Sequence, residues 1–204
     1  RMLLAAGASP HAAKHCGCTP AMDAARLGMN MCLQTLLAAG ASPNPICSNT
    51  GNTALIMAAS GGHAGCLRRL LRAGADANIR ADNGQTALFK AAAAGQQACI
   101  DALLAAKADV TAQDRDGNTA LHNAAWNGHS DCVVCLLEAG AQQDAANGQQ
   151  DTPLMQAAQN GHAACVSALL QHGAKVDAVN DVNGTAARLA ISGGHDQCLR
   201  ALLA

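Results

Sequence analysis

The stretch DGNTALHNAAWNGH at residues 116–129, followed by CVVCLLEAGA at residues 132–141, is the clearest copy of a unit that recurs along the chain. A threonine occupies the same place in every copy. Sustained periodicity of this kind indicates a stacked array in which each unit buries its apolar face on its neighbours. The marker threonines, separated by 34, 33, 33, 33 and 33 residues, are Thr19, Thr53, Thr86, Thr119, Thr152 and Thr185.

The amino-acid composition favours an all-helical protein. Half of the 204 residues are hydrophobic, but only 1% are aromatic, with one tryptophan, one phenylalanine and no tyrosine. The core must therefore be built from small and aliphatic side chains. Because alanine and leucine are also the strongest helix formers, we expect closely apposed helices.

Charge and hydropathy argue against two classes of partner. The formal net charge is -1 at pH 7, whereas proteins that bind nucleic acid through its phosphates normally carry a pronounced basic surface. No apolar run approaches the ~20 residues that a bilayer-spanning helix needs, because glycine and polar residues interrupt each run. We expect no nucleic-acid partner and no membrane insertion in this segment.

The cysteines indicate a core position in the repeat and not a disulfide framework. Six of the ten lie 13 residues after a marker threonine, where a cysteine in the predicted second helix would act as a small buried hydrophobic side chain. We therefore expect free thiols and a reducing compartment, which means a cytoplasmic location with the nucleus as the alternative. The six are Cys32, Cys66, Cys99, Cys132, Cys165 and Cys198.

Each unit predicts a turn followed by two short helices. A polar, glycine-containing turn leads to the marker threonine, whose hydroxyl can cap the first helix. Proline follows the threonine at Pro20 and Pro153, where a helix tolerates it. A glycine ends the first helix, and the second helix, with apolar residues at the spacing of one face, ends at another glycine.

The combined pattern resembles the ankyrin repeat. Its elements are a turn, Thr-Pro-Leu-His-x-Ala-Ala, Gly-His, Val-x-x-Leu-Leu and Gly-Ala-Asp-x-Asn, in six copies that keep one register. The resemblance implies an all-α ankyrin-repeat solenoid of stacked antiparallel helix pairs with projecting hairpin-like loops. It also implies that the first helices and the loop tips line a concave side.

One array is expected to occupy residues 1–204 as a single domain. Since the chain starts at Arg1 and the last unit lacks its closing glycine, we expect a fragment of a longer protein. After a partial repeat at 1–13, the repeats are expected at approximately 14–47, 48–80, 81–113, 114–146, 147–179 and 180–204.

Several copies depart from the pattern in ways that bear on stability. His122 alone keeps the motif histidine, so capping should differ between repeats. Ala21 and Ala187 replace the usual leucine, which should cost the terminal repeats ~2 kcal/mol each and make them fray first. Lys107 replaces a helix-ending glycine and should be strained in a left-handed conformation. The extra residue within 43–50 is expected in a loop, where an insertion costs little.

No arrangement of residues indicates catalysis. The CVVC at 132–135 has the spacing of a thiol redox pair, but both cysteines occupy apolar helix positions, and a redox pair needs an accessible thiolate of low pKa. Four periodic histidines follow first-helix glycines, where the ankyrin resemblance implies a structural role at the turn. We therefore predict no enzyme activity, no cofactor and no catalytic residue. These histidines are His63, His129, His162 and His195.

One pair of turns concentrates residue types that bind metals. Zinc sites usually combine four such ligands, but the Cys-Gly-Cys spacing found here differs from the usual Cys-x-x-Cys. A solvent-exposed polar loop without metal is the preferred interpretation, and a zinc or thiol sensor is the alternative. The first turn contains His11, His15, Cys16 and Cys18, and the next contains Cys47.

The candidate binding residues occupy positions at which the repeats vary. The loop tips supply Asn52, Gln85, Arg115, Asn118 and Asp151, and the ends of first helices supply Arg26, Trp126, Asn127, Gln159 and Asn160. Trp126 is the only tryptophan, and tryptophan and arginine dominate interface hot spots. Two interpretations of Trp126 remain open, a binding hot spot and a ring that covers a neighbouring small-residue helix.

These observations predict a monomeric, non-catalytic interaction module that binds a protein or peptide on its concave face and loop tips. A regulatory or targeting segment of a larger enzyme or channel is the alternative, because both would carry the same visible residues.

Overall fold

The computed structural model describes residues 9–204, which form twelve helices and no strand. The all-α prediction is therefore confirmed for this part of the chain. The first helices of the six repeats are α1 (Pro20–Arg26), α3 (Ala54–Ser60), α5 (Ala87–Ala93), α7 (Ala120–Trp126), α9 (Pro153–Gln159) and α11 (Ala186–Ser192). The second helices are α2 (Asn30–Ala38), α4 (Ala64–Arg72), α6 (Gln97–Ala105), α8 (Ser130–Glu138), α10 (Ala163–Gln171) and α12 (Asp196–Leu203).

The helices form two parallel rows that share one core. Each first helix contacts the first helix of the next repeat, each second helix contacts the next second helix, and the two helices of a repeat contact each other. Alanine pairs such as Ala58–Ala59 and Ala124–Ala125 are fully buried between the rows. Leucines on the second helices, including Leu70, Leu103 and Leu136, fill the remaining space. The core is therefore one continuous strip along the array.

The marker threonines begin the first helices, as the sequence predicts. Each has an extended backbone, and its hydroxyl oxygen accepts a hydrogen bond from the backbone N–H three residues later, at 3.3–3.4 Å. Pro20 and Pro153 occupy the first helical turn, where their lack of an N–H leaves no hydrogen bond unmade.

Glycines in the left-handed conformation end the second helices. Gly40, Gly74, Gly140 and Gly173 have φ between 82° and 91°. Lys107 takes the equivalent position with a φ of 60°, so the left-handed backbone predicted there is confirmed. A Cβ added at Gly140 would meet nothing within 4 Å. The preference for glycine at this position is therefore conformational and not steric.

Four histidines tie neighbouring repeats together at the turn between the two helices. The Nε2–H of each donates to a backbone carbonyl at the end of the preceding repeat's first helix. The bonds join His63 to Arg26 (3.1 Å), His129 to Ala93 (3.2 Å), His162 to Trp126 (2.9 Å) and His195 to Gln159 (3.0 Å). This geometry confirms the structural role that the resemblance implies.

The first and last described repeats bury fewer residues than those between them, as expected. Helix α11 buries only Ala186 and Ala190, whereas α9 buries six residues. Helix α2 buries only Leu33, whereas α4 buries Cys66, Leu67 and Leu70. The prediction that all six periodic cysteines are buried is wrong for Cys32, which is exposed. Cys32 lies on the second helix of the first described repeat, whereas each of the other five lies on a helix that packs against the second helix of a described preceding repeat.

His122 forms a capping network that extends to the next repeat. Its Nδ1 accepts from the backbone N–H of Thr119 at 3.1 Å, and its Nε2–H donates to the carbonyl of Asp151 in the next repeat at 3.0 Å. The ring is completely buried. Burial lowers the pKa of His122 below its ordinary value of 6.5, although the hydrogen bond to Asp151 acts in the opposite direction.

The first prediction concerns the strain at Lys107. Lys107→Gly should raise the free energy of unfolding by about 1 kcal/mol, because only glycine adopts positive φ without a Cβ penalty. Gly140→Ala is the matched control and should lower it by a similar amount, since its Cβ enters open space. Urea denaturation measures both, and a loss of stability in Lys107→Gly would contradict the assignment of strain.

The second prediction concerns pH. Because the pKa of His122 is lowered in the folded state, the unfolded chain binds more protons, and stability falls as the pH drops below about 6.5. His122→Met introduces the residue that two other repeats carry at this position, Met22 and Met155. The variant should be less stable than the parent near neutral pH. It should lose less of its stability between about pH 7.5 and pH 5. Urea titrations at both pH values measure the difference, and equal pH dependence in the two proteins would exclude His122 as the titrating group.

Candidate protein-interaction surface

Trp126 lies between two grooves on the side of the first helices and inter-repeat turns. Its side chain is 46% exposed. We call the two grooves together the Trp126 channel. The larger groove, of about 970 Å³, lies between the turns at 113–118 and 147–149, and the side chains of Asn123 and Gln156 form part of it. The smaller groove, of about 360 Å³, is lined by Trp126, Asp151, Gln159, Asn180, Val182 and Leu189 among others.

The two grooves differ in chemical character. The larger one is lined almost entirely by polar residues, including Asp114, Arg115 and Asp116. The smaller one adds the exposed apolar side chain of Val182, together with Leu189 and the carboxylates of Asp151 and Asp181. Because Trp126 contributes to both, the channel combines an apolar centre with a predominantly acidic rim.

Backbone hydrogen bonds hold successive turns in register. Arg115 N–H donates to the carbonyl of Asn83 at 3.1 Å, and Gly148 N–H donates to the carbonyl of Asp116 at 2.8 Å. Asp181 N–H continues the series by donating to the carbonyl of Gln149 at 3.2 Å. The turns that line the channel are therefore held in register by bonds that do not depend on side chains.

A second series of bonds joins side chains 29 residues apart in neighbouring turns. We call this series the turn ladder. Its rungs join Gln85 Nε2 to Asp114 Oδ2 (3.3 Å), Asn147 Nδ2 to Asn118 Oδ1 (2.9 Å) and Asn180 Nδ2 to Asp151 Oδ1 (2.7 Å). The residue that begins each turn also caps it. Asp114, Asn147 and Asn180 accept backbone N–H bonds from residues two and four positions later.

Comparison with known families agrees with this geometry. A family model described as ankyrin repeats (3 copies) matches residues 1–81, 62–147 and 140–204. The chain belongs to the ankyrin-repeat family. No curated protein matches it. Ankyrin repeats are generally protein–protein interaction modules and are typically non-catalytic.

The ankyrin array places the ten predicted binding residues in two environments. Arg26, Arg115, Trp126, Asn127 and Gln159 are exposed, whereas Asn52, Gln85, Asn118, Asp151 and Asn160 are partly buried. Gln85, Asn118 and Asp151 form rungs of the turn ladder, and the amides of Asn127 and Asn160 donate to the carbonyls of Asn123 and Gln156. Their part in binding stays a prediction, but many of their side-chain polar groups already form hydrogen bonds within the array.

The structure adds channel residues that the sequence analysis missed. Asn123, Gln156 and Leu189 each lie four residues after a marker threonine and face the channel. This position carries a different residue in every repeat, so its variability was the available signal. Val182 was missed as well, although an exposed apolar residue in an otherwise polar turn is itself a signal.

The CVVC motif has the environment of core cysteines. Cys132 is buried and Cys135 is half-buried. Burial, reinforced by nearby aspartates, raises the pKa of Cys132 to about 11. Burial and a hydrogen bond to Asp101 raise the pKa of Cys135 to about 11 as well. Both residues are therefore protonated at neutral pH, which is unsuited to a redox thiolate.

The candidate metal-binding turns are brought together only in part. The Sγ atoms of Cys16, Cys18 and Cys47 all lie within 4.8 Å of one another, and this cluster includes neither His11 nor His15. Both histidines are exposed. The interpretation of these turns as a simple exposed loop is wrong for Cys47, whose side chain is buried against the neighbouring turn. The Cys18 thiol donates a hydrogen bond to the sulfur of Cys47, which lowers the pKa of Cys47. The same bond, together with a hydrogen bond to Cys16, raises the pKa of Cys18 to about 12.

No helix in residues 9–204 is both long and apolar enough to cross a membrane.

The turn ladder has a gap that gives the third prediction. Ala81 stands where the later turns carry Asp114, Asn147 and Asn180, and the Oδ1 of Asn52, 29 residues earlier, is buried without a hydrogen-bond partner. Ala81→Asn should supply the missing amide and raise the free energy of unfolding by about 1 kcal/mol, because a buried acceptor would gain a donor.

Chemical denaturation measures the effect, with Ala81→Val as the control that adds volume without a polar group. The variant Asn52→Ala should abolish the gain from Ala81→Asn, since it removes the acceptor. A stabilisation that survives in the double variant would contradict the ladder as its cause.

Proposed function

We propose that this array binds an extended protein segment along the Trp126 channel. The observation that carries the proposal is the exposure of a large aromatic side chain between two grooves whose walls are held in register by hydrogen bonds. Tryptophan supplies much contact area with few rotatable bonds, and such residues act as anchors in protein interfaces. A rigid scaffold also lowers the entropy lost on binding.

The chemistry of the channel suggests the chemistry of the segment. Its lining carries Asp114, Asp116, Asp151 and Asp181 against one positive residue, Arg115. The side chains of Asp116 and Asp181 are exposed, while those of Asp114 and Asp151 are partly engaged in the turn ladder. A partner segment with an apolar residue at Trp126 and Val182, flanked by lysine or arginine, would satisfy both features.

The proposal concerns the array itself, whether it acts alone or as the regulatory or targeting segment of a larger enzyme or channel. We place it as a monomer in a reducing compartment, the cytoplasm or the nucleus. All ten cysteines are free, which agrees with such a compartment.

The fourth prediction tests the role of Trp126. Peptides selected on the intact array from a displayed random library should be enriched in basic residues around an apolar one. Trp126→Ala should weaken their binding by at least about tenfold, as expected for a hot spot. The variant should keep its fold, because the bond from His162 reaches the backbone carbonyl of Trp126 and not its ring.

Isothermal titration gives the affinities, and thermal denaturation gives the stability of each variant. Ile191→Ala is the matched control, since Ile191 is also a large exposed hydrophobic residue but lies outside the lining of both grooves. A large loss of stability in Trp126→Ala with unchanged affinity would show that Trp126 only covers its neighbours.

A further inference from the structure

Cys18 and Cys47 occupy one rung of the turn ladder. They lie 29 residues apart in neighbouring turns, at the positions taken by Asn118 and Asn147 further along the array. Their Sγ atoms are 2.8 Å apart. A thiol is a much weaker hydrogen-bond donor and acceptor than an amide. The first junction therefore has a soft sulfur pair where later junctions have a strong polar bond.

Cys16 adds a third sulfur to this rung. Gly17 separates it from Cys18 and adopts a φ of 73°, a conformation that suits glycine and produces a tight turn. All three Sγ atoms lie within 4.8 Å of one another. Thiolates bound to one tetrahedral Zn²⁺ at ~2.3 Å would be about 3.8 Å apart. Small side-chain movements would therefore bring the three sulfurs to the spacing that a single ion requires.

The backbone around the three cysteines is already held in place. Ser48 N–H donates to the carbonyl of Cys16 at 2.8 Å and joins the two turns directly. Within the first turn, Lys14 N–H donates to the backbone carbonyl of Cys18 at 3.0 Å. Within the second turn, Cys47 N–H donates to the backbone carbonyl of Asn52 at 2.9 Å. Cys47 is buried, while Cys16 and Cys18 are partly exposed. An ion could reach the cluster from solvent without unfolding either turn.

We propose that Cys16, Cys18 and Cys47 form a three-thiolate binding site for Zn²⁺ that joins the first two inter-repeat turns of the described chain. Three protein ligands leave one tetrahedral position for water. Binding converts three thiols into thiolates and releases their protons to solvent, so affinity increases with pH. The site is separate from the Trp126 channel, and neither proposal depends on the other.

The fifth prediction is that the reduced, metal-free chain binds one equivalent of Co²⁺ with thiolate-to-metal charge-transfer absorption. Zn²⁺ should then displace the Co²⁺ and raise the melting temperature. Each of Cys16→Ser, Cys18→Ser and Cys47→Ser should lower Zn²⁺ affinity by at least about tenfold, since even changes to the partners of ligands cost that much. Cys32→Ser, at an exposed cysteine elsewhere, and His15→Ala should retain the affinity of the parent protein.

Circular dichroism of each variant should show the helical content of the parent, so that loss of binding is not loss of fold. Co²⁺ uptake without charge-transfer absorption, or Zn²⁺ affinity that persists in Cys47→Ser, would overturn the site. Failure of the reduced chain to bind Zn²⁺ would also overturn the site. If the mass spectrum of protein prepared without reductant then shows a Cys18–Cys47 disulfide, the pair would be assigned to thiol oxidation instead.

Discussion

The contact between neighbouring repeats is the interaction on which this structure depends. A pair of helices of seven and nine residues, such as α3 and α4, is too small to bury its own apolar face, and most of its core forms only when the next pair packs against it. Fully buried alanines allow the first helices to approach closely. Polar bonds fix the same contact at both ends of the helix pair. A histidine reaches the preceding repeat at the inter-helix turn, and the turn ladder does so at the opposite end.

The sequence predicted those features that depend on residues close together in the chain. Thr119 caps its helix through a residue three positions away, and Lys107 adopts positive φ because of its place in the helix terminus, so a repeat alignment is sufficient for both. The turn ladder was not predicted, because its rungs join residues 29 apart and use amides, carboxylates or thiols at equivalent positions. No shared residue type marks them. Cys32 was misjudged for a related reason, since burial depends on which repeat lies alongside.

The same dependence on neighbours explains why the proposed binding surface was only partly predicted from the sequence. Trp126 and Arg115 are exposed as expected. The side-chain carbonyl oxygen of Asn118, however, accepts hydrogen bonds from the amides of Asn147 and Gln156. A variable residue at a loop tip can therefore serve the array as well as a partner. These internal bonds hold the turns that line the channel, and the side chains they leave free are those available to the proposed partner. Among those, Trp126 and Val182 offer apolar area, and Asp116 and Asp181 offer negative charge.

Nearest-neighbour coupling also distinguishes the amino-terminal junctions of the array from the later ones. The first junction holds sulfur in place of an amide pair, and the second holds Ala81 opposite an unpartnered Asn52, so the amino-terminal junctions are the most weakly joined of the ladder. In an array whose stability is a sum of repeat and junction terms, an ion at Cys16, Cys18 and Cys47 would strengthen the first junction directly. Its influence on Trp126 would have to pass through every intervening repeat. Metal binding at one end can therefore stiffen the array locally while the Trp126 channel keeps its geometry.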